Sequence, residues 1–160
     1  MAVIYHQTPI GFARIEDDGN KICSVTVLEH TGTDSTTPTA LVQLAANQLD
    51  EYFKGERKAF DFPYQQTGTD FQQQVWQNLC NVNYAETISY AQLSKRMKNP
   101  LAIRAIAAAN GKNNLWIVVP CHRIIGSDGS LTGYAGGLWR KQWLLDFEAK
   151  NAGVGQTTLF

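Results

Sequence analysis

A chain of 160 residues, 44% of them hydrophobic and 18% charged, is long enough for one ordinary domain or two small ones and too apolar to be disordered. No stretch approaches the roughly 20 apolar residues of a membrane helix, and the opening residues lack a basic segment followed by an apolar one, so neither a membrane partner nor a signal peptide is expected. Three scattered cysteines (Cys23, Cys80 and Cys121) are too few for a disulfide framework, so a reduced, cytoplasmic setting is expected. A net charge of zero, taken alone, argues against a nucleic-acid partner. Yet residues 1–65 carry 5 Lys/Arg against 9 Asp/Glu, and residues 66–160 carry 9 against 5. The second part is the better candidate to face a polyanion; chance asymmetry on a solvated surface reads equally well.

Residues 2–30 read as strands joined by turns: 2–5 and 22–28 are rich in β-branched and aromatic residues, and Asp18-Gly19-Asn20 is a turn signal. A polar loop follows. Thr37-Pro38 predicts a helix start, with Thr37 as N-cap; Leu41, Leu44, Ala45, Leu49, Tyr52 and Phe53 recur at helical spacing, and Gly55 is the stop. Residues 58–68 read as a strand or linker.

From Thr69 the pattern is mainly helical. Thr69 with Gln72, and Ser89 with Gln92, form capping boxes. The first opens a helix with Phe71, Val75, Trp76 and Leu79 on its apolar face, on which Cys80 is read as core; Cys23 is read as packing inward from its strand. The second opens a short helix over 90–97 with Leu93 inward. Asn99-Pro100 starts another over 101–110, stopped by Gly111. Two short helices joined by about three residues suggest a helix-turn-helix. Its second helix is small and apolar with one charge, Arg104, unlike a helix that reads base edges. A buried Ala-rich helix is the plainer alternative. Residues 116–119 are a short β-rich run ended by Pro120, and Leu138, Trp139, Trp143, Leu144 and Phe147 give a last helix its apolar spacing.

Pro120-Cys121-His122-Arg123 places a thiol, an imidazole and a guanidinium side by side. A free thiol is mostly protonated at neutral pH, and a nearby cation or base lowers its pKa. His122 and Arg123 suit that task. In extended chain, however, adjacent side chains point apart, so either the backbone turns here or a water bridges Cys121 and His122. His122 also needs a partner to set its tautomer, and Glu148 is a candidate. A buried structural cysteine is the commoner case. No paired CxxC or HxxxH spacing supports a metal, and a protease would need His6 or His30 from the other half of the chain.

Residues 118–125 followed by Gly133-Tyr134-Ala135-Gly136-Gly137 resemble the active-site signature of O6-alkylguanine-DNA alkyltransferases (methylated-DNA–protein-cysteine methyltransferases). The likeness runs from Thr69 to Glu148 and includes Phe71-Gln72, Val75-Trp76, residues 88–93, Arg104-Ala105, Ala108-Ala109-Asn110-Gly111 and Trp143-Leu144-Leu145. The resemblance implies an α/β N-terminal domain (antiparallel sheet plus helix) over residues 1–65 and a mainly helical DNA-binding and catalytic domain with a helix-turn-helix over 66–160. It implies that Cys121 takes the alkyl group from O6-alkylguanine in double-stranded DNA, once per molecule, with no cofactor and no metal. His122, through a water, and Glu148 would generate the thiolate, and Asn113 would hold the active-site turn. Arg104 would enter the duplex from the minor groove and fill the space of the flipped nucleotide. Tyr90 would help turn that nucleotide out and protonate the leaving guanine, and Tyr134 with the backbone of Ala135 would line the base pocket. Small faces at Ala105, Ala108 and Ala109 would let backbone approach DNA closely. Arg123 looks structural. A monomer is expected in the absence of DNA. Trp116 stands where a proline is common, Ala135 replaces a serine of some relatives, and no family zinc site maps onto residues 1–30. The alternative is a non-catalytic alkyltransferase-like protein that binds the lesion; those relatives lack the acceptor cysteine.

Overall fold

The computed structural model describes residues 1–153, so residues 154–160 of the expected C-terminal domain lie outside the described residues. The chain forms two compact units, residues 1–67 with 114–118, and residues 68–113 with 119 onward. Among the described residues no helix is long and apolar enough to cross a membrane.

In the first unit, β1 (Val3–Thr8), β2 (Gly11–Asp17) and β3 (Ile22–Leu28) form an antiparallel meander. Its register sets Ile4 against Ile15 and Ile15 against Val25, so one face carries a continuous buried patch. Helix α1 (Ala40–Phe53) buries Val42, Ala45, Ala46, Leu49 and Tyr52 and contacts all three strands. Its N-cap is Thr39, not Thr37. Thr39 Oγ1 accepts from the Val42 N–H at 3.2 Å and donates to buried Asp17 Oδ2 at 2.6 Å, so a strand residue selects which threonine caps. Gly55, at φ 79°, ends the helix as expected. Residues 58–68 form no strand beyond one bridge, Tyr64 to Ile22. Cys23 is half-buried, with Sγ donating to the Glu16 carbonyl at 3.5 Å, rather than core.

The run 116–119 is not a strand. Trp116 N–H bonds the Val25 carbonyl at 2.9 Å, but Ile117 lies at φ 73°, a costly conformation for a β-branched residue that breaks the extended run.

In the second unit both capping boxes form as expected, opening α2 (Asp70–Leu79) at Thr69 and α3 (Tyr90–Arg96) at Ser89. Cys80 lies just beyond α2 and is exposed, because the helix ends before it can turn inward. Helix α4 (Ile103–Gly111) begins two residues later than expected, because residues 99–102 close a turn first (Ala102 N–H to the Asn99 carbonyl, 3.1 Å); Gly111 is its last residue, not its stop. Trp76 Nε1 donates to the Ala109 carbonyl at 2.9 Å, tying α2 to α4. Two residues, β4 (Ile88–Ser89), pair in parallel with β5 (Ile124–Ile125). Helix α5 (Leu138–Ala152) buries Leu144 of its expected apolar set, but Leu138 and Trp139 are exposed, Trp143 and Phe147 are half-buried, and Arg140, Lys141 and Glu148 are buried instead.

Candidate active site

The backbone turns at Cys121. Pro120 sits at φ −81°, ψ 63°, an inverse γ-turn closed by the Cys121 N–H on the Val119 carbonyl at 2.8 Å. A 3-10 turn, Cys121–Arg123, follows at once. The Val119 carbonyl also accepts from Asn113 Nδ2 at 2.9 Å, so Asn113, two residues beyond α4, braces the turn. Every residue of the turn is buried, Cys121 at 4% exposure.

His122 Nε2 lies 2.7 Å from Glu148 Oε2, with both side chains wholly buried. A carboxylate can only accept, so Nε2 carries the hydrogen and Nδ1 presents a lone pair. Nδ1 has no hydrogen-bond partner among the described residues. Glu148 is shared: Arg123 Nε and Nη2 reach its two oxygens at 2.8 and 3.0 Å, and the Ala85 N–H reaches Oε1 at 3.2 Å. Arg123 Nη1 also donates to the Val82 carbonyl at 2.9 Å. Arg123 is thus committed to the carboxylate, and the cation near the sulfur is Lys141. That lysine is fully buried, with Nζ donating to the Thr132 carbonyl at 3.1 Å.

Burial dominates the electrostatics. It pushes the Cys121 thiol up to about 11, against the opposing pull of the Asn113 hydrogen bond and the Lys141 charge, so the resting group is a thiol. Burial also lowers the imidazole pKa of His122, outweighing Glu148, and Arg123 and Lys141 push the same way. Burial alone would raise Glu148, but His122 and Arg123 hold it well below the usual carboxylate range. Burial lowers the Lys141 ammonium, and the nearby sulfur partly restores it.

Acid therefore works against the fold twice. Below about 6.5 the unfolded chain protonates His122 while the folded chain resists, and below about 4.3 the same holds for Glu148. Melting temperature is expected to fall as pH drops from about 7 to 5 and again towards 3, followed by circular dichroism. A melting temperature constant from pH 8 to 5 contradicts a buried neutral His122.

A cleft of about 530 Å³ opens beside this turn, lined by Tyr90 of α3, by Ala107, Asn110 and Gly111 of α4, and by loop residues 132–135. Tyr90 Oη and Thr132 Oγ1 lie 3.1 Å apart across it. Tyr134 lies near enough to Cys121 for the sulfur to act on it: burial first, then the sulfur, pushes its phenol well above its ordinary value. Asn110 Nδ2 approaches the Cys121 carbonyl at 3.5 Å.

A sequence profile described as "6-O-methylguanine DNA methyltransferase, DNA binding domain" matches residues 70–150. The chain belongs to this family. It is 41% identical over 166 residues to the methylated-DNA–protein-cysteine methyltransferase of Mycobacterium tuberculosis, covering 99% of both chains. It is 50% identical over 105 residues to the constitutive enzyme of that name from Bacillus subtilis, covering 65% of this chain and 64% of that one. The crystal structure of M. tuberculosis O6-methylguanine methyltransferase matches with a TM-score of 0.82 at 40% identity, covering 93% of this chain and 94% of that one. The M. tuberculosis OGT structure in complex with DNA matches with a TM-score of 0.84 at 40% identity, covering 93% of each.

Within this family member the fold brings Cys121, His122, Glu148 and Asn113 together in one buried cluster, and gathers Tyr90, Tyr134 and Ala135 at the cleft. Arg104 is not among the cleft residues; it stands exposed on α4. Ala105 and Ala108 are exposed beside it, but Ala109 faces the core. The excess cations of the second half divide: Arg123, Arg140 and Lys141 are buried, while Lys95, Arg96, Lys98, Arg104 and Lys112 are exposed on or next to α3 and α4. Sequence reading missed Lys141 and Asn110. The signal for Lys141 was its spacing: 141, 144 and 148 share one helical face, so a lysine there sits with a leucine and the candidate glutamate. For Asn110 no comparable signal exists.

Proposed function

We propose that this chain repairs DNA by moving the alkyl group of O6-alkylguanine onto its own Cys121, stoichiometrically and irreversibly. The observation that carries this reading is His122 Nδ1, a buried base held by Glu148 and adjacent in sequence to the Cys121 thiol, behind a cleft whose lining residue Asn110 reaches the Cys121 carbonyl. The names of the relatives and the family's DNA-binding description support the same activity.

The chemistry follows from the site. An alkyl group on O6 is out of reach in stacked DNA, so the nucleotide must be extruded into the cleft. The Cys121 proton passes through a bridging water to His122 Nδ1, and Glu148 stabilises the imidazolium. Lys141 and the Asn113 amide favour the thiolate. Sulfur then attacks the alkyl carbon, the carbon–O6 bond breaks, and the electron pair leaves with guanine, which takes a proton from the Tyr90 phenol. The resulting thioether has no good leaving group, hence a single turnover.

In the same reading α3 and α4 act as a helix-turn-helix within a C-terminal domain spanning 66–160, with 1–65 as the α/β domain. Exposed Ala105 and Ala108 let α4 approach the minor groove, and the cations around it supply sequence-independent affinity. The protein is a cytoplasmic monomer without DNA. Incubation with duplex containing O6-methylguanine should add one methylene unit to the peptide carrying Cys121, read by mass spectrometry. An unmodified peptide after prolonged incubation rules the reading out.

Arg104 is the finger that occupies the vacated stack. Arg104→Ala is expected to slow transfer from duplex on the order of tenfold, since extrusion costs a few kcal/mol, and to leave reaction with free O6-benzylguanine nearly unchanged. Equal losses on both substrates contradict that role.

A further inference from the structure

Residues 83–86 form a hydrogen-bonded β-turn, with the Glu86 N–H on the Asn83 carbonyl at 3.0 Å. Ala85, its third residue, lies at φ 64°, the left-handed region in which a Cβ is crowded; Tyr84 before it does not. That combination is a type II turn, whose third position favours glycine. A type I turn would suit alanine better and join the same neighbours. The two types differ by a half-rotation of the middle peptide, Tyr84–Ala85. Glu86 ties the turn down from both ends: Oε1 accepts from the Asn83 N–H at 2.8 Å and Oε2 from Arg96 Nη2 of α3 at 2.9 Å. Those ties hold either type. What type II alone supplies is the direction of the middle N–H, which donates to Glu148 Oε1 at 3.2 Å. In type I the Tyr84 carbonyl would face the carboxylate instead.

Resting on the alkyltransferase reading above, we propose that Ala85 is a positioning residue: its backbone N–H, aimed by the strained turn, holds Glu148 Oε1 so that Oε2 stays on His122 Nε2. Oε1 takes the Ala85 N–H and Arg123 Nε, and Oε2 takes His122 Nε2 and Arg123 Nη2. Donors on both oxygens fix the rotation of the carboxylate and divide its charge among them. Without the Ala85 N–H more of that charge faces the imidazole, which favours the protonated ring and leaves less of the neutral base that takes the Cys121 proton. The charges acting on His122 are Glu148, Arg123 and Lys141, and the phenols of Tyr84 and Tyr134 also feel Glu148. The Ala85 N–H is a neutral donor among them, set by backbone geometry alone.

The test titrates His122 from about pH 8 to 5 by NMR of ring-labelled histidine, with His6 and His30 of the first unit as references. Single-turnover transfer from duplex containing O6-methylguanine is followed over the same range. In one protein L-lactate replaces Ala85 by nonsense suppression, so that an ester oxygen stands in place of the N–H. In Ala85→Val a branched side chain works against positive φ. Ala85→Gly keeps the N–H and relieves the crowding. The ester and Ala85→Val are expected to raise the His122 midpoint, and the pH at which transfer falls to half, by about half a unit. Ala85→Gly should match wild type in both. Thermal melts check folding, and Ala85→Val carries the comparison if the ester does not fold. Wild-type midpoints in the ester and the valine variant overturn the proposal, even if transfer is slower at every pH, since a merely structural turn gives that result. An equal shift in Ala85→Gly overturns it as well, because that variant keeps the donor. Absence of transfer by wild type removes the alkyltransferase reading and the role in transfer with it, while the titration still decides whether Ala85 holds the carboxylate.

Discussion

Replacing Cys121 by alanine is expected to abolish alkyl transfer while leaving affinity for lesion-containing duplex within about twofold of wild type. The sulfur is the acceptor, so its loss removes the bond-forming atom rather than slowing a step. Neither of the other cysteines can substitute: Cys80 is exposed beyond α2, and Cys23 belongs to the sheet of the first unit. The resting thiol is neutral, so the alanine leaves no buried charge behind. The stability change should be about 1 kcal/mol, the loss of one small buried group. Mass spectrometry of the whole protein after incubation, with a parallel gel-shift titration, reads both parts. Undiminished alkylation of the variant contradicts the assignment of Cys121. Weakened binding in step with lost transfer would mean the cysteine holds the lesion rather than reacting with it.

The second large effect lies at Glu148. Glu148→Gln keeps the shape but removes the charge that pairs with Arg123 and orients His122. Arg123 then stays buried without a counter-charge, which costs about 3–5 kcal/mol. Against a typical total of about 5–15 kcal/mol that is a large fraction. Urea denaturation should show it as a shift in midpoint at nearly constant slope. Transfer should also slow by about 10²–10⁴, the range of a positioned general base. Stability and chemistry separate in the double variant Arg123→Met, Glu148→Leu. Removing both charges should recover much of the stability, because an apolar pair often replaces a buried ion pair at little cost, whereas transfer stays slow because His122 has lost its anchor. A Glu148→Gln protein as stable as wild type contradicts the buried triad.

Local features were legible before any fold was known. The capping boxes at Thr69 and Ser89 satisfy their own helix ends within four residues, and both form as the chain order implies. The reactive run around Cys121 was legible too, because thiol, imidazole and guanidinium are named by residue type. The first helix start was not: Thr37-Pro38 is the better local signal, yet Thr39 is the cap, its hydroxyl held by Asp17 far away in sequence. The buried face of α5 was misread apart from Leu144 because periodicity counts apolar side chains, whereas Lys141 and Glu148 go inward to partners outside the helix and Arg140 to the Gly136 carbonyl just before it.

The sequence by itself determined the chemistry on offer: a thiol beside an imidazole, a candidate glutamate partner, and helices whose ends announce themselves. Only the tertiary structure decided which way each group faces and what its ionisation costs. It turned the chain at Pro120, gave Arg123 to Glu148 rather than to the sulfur, placed Lys141 near the thiol and left Asn110 with an open acceptor. The reason is physical: hydrogen bonds within a turn are set by neighbours in sequence, whereas desolvation and charge pairing depend on distances between residues that only packing brings together.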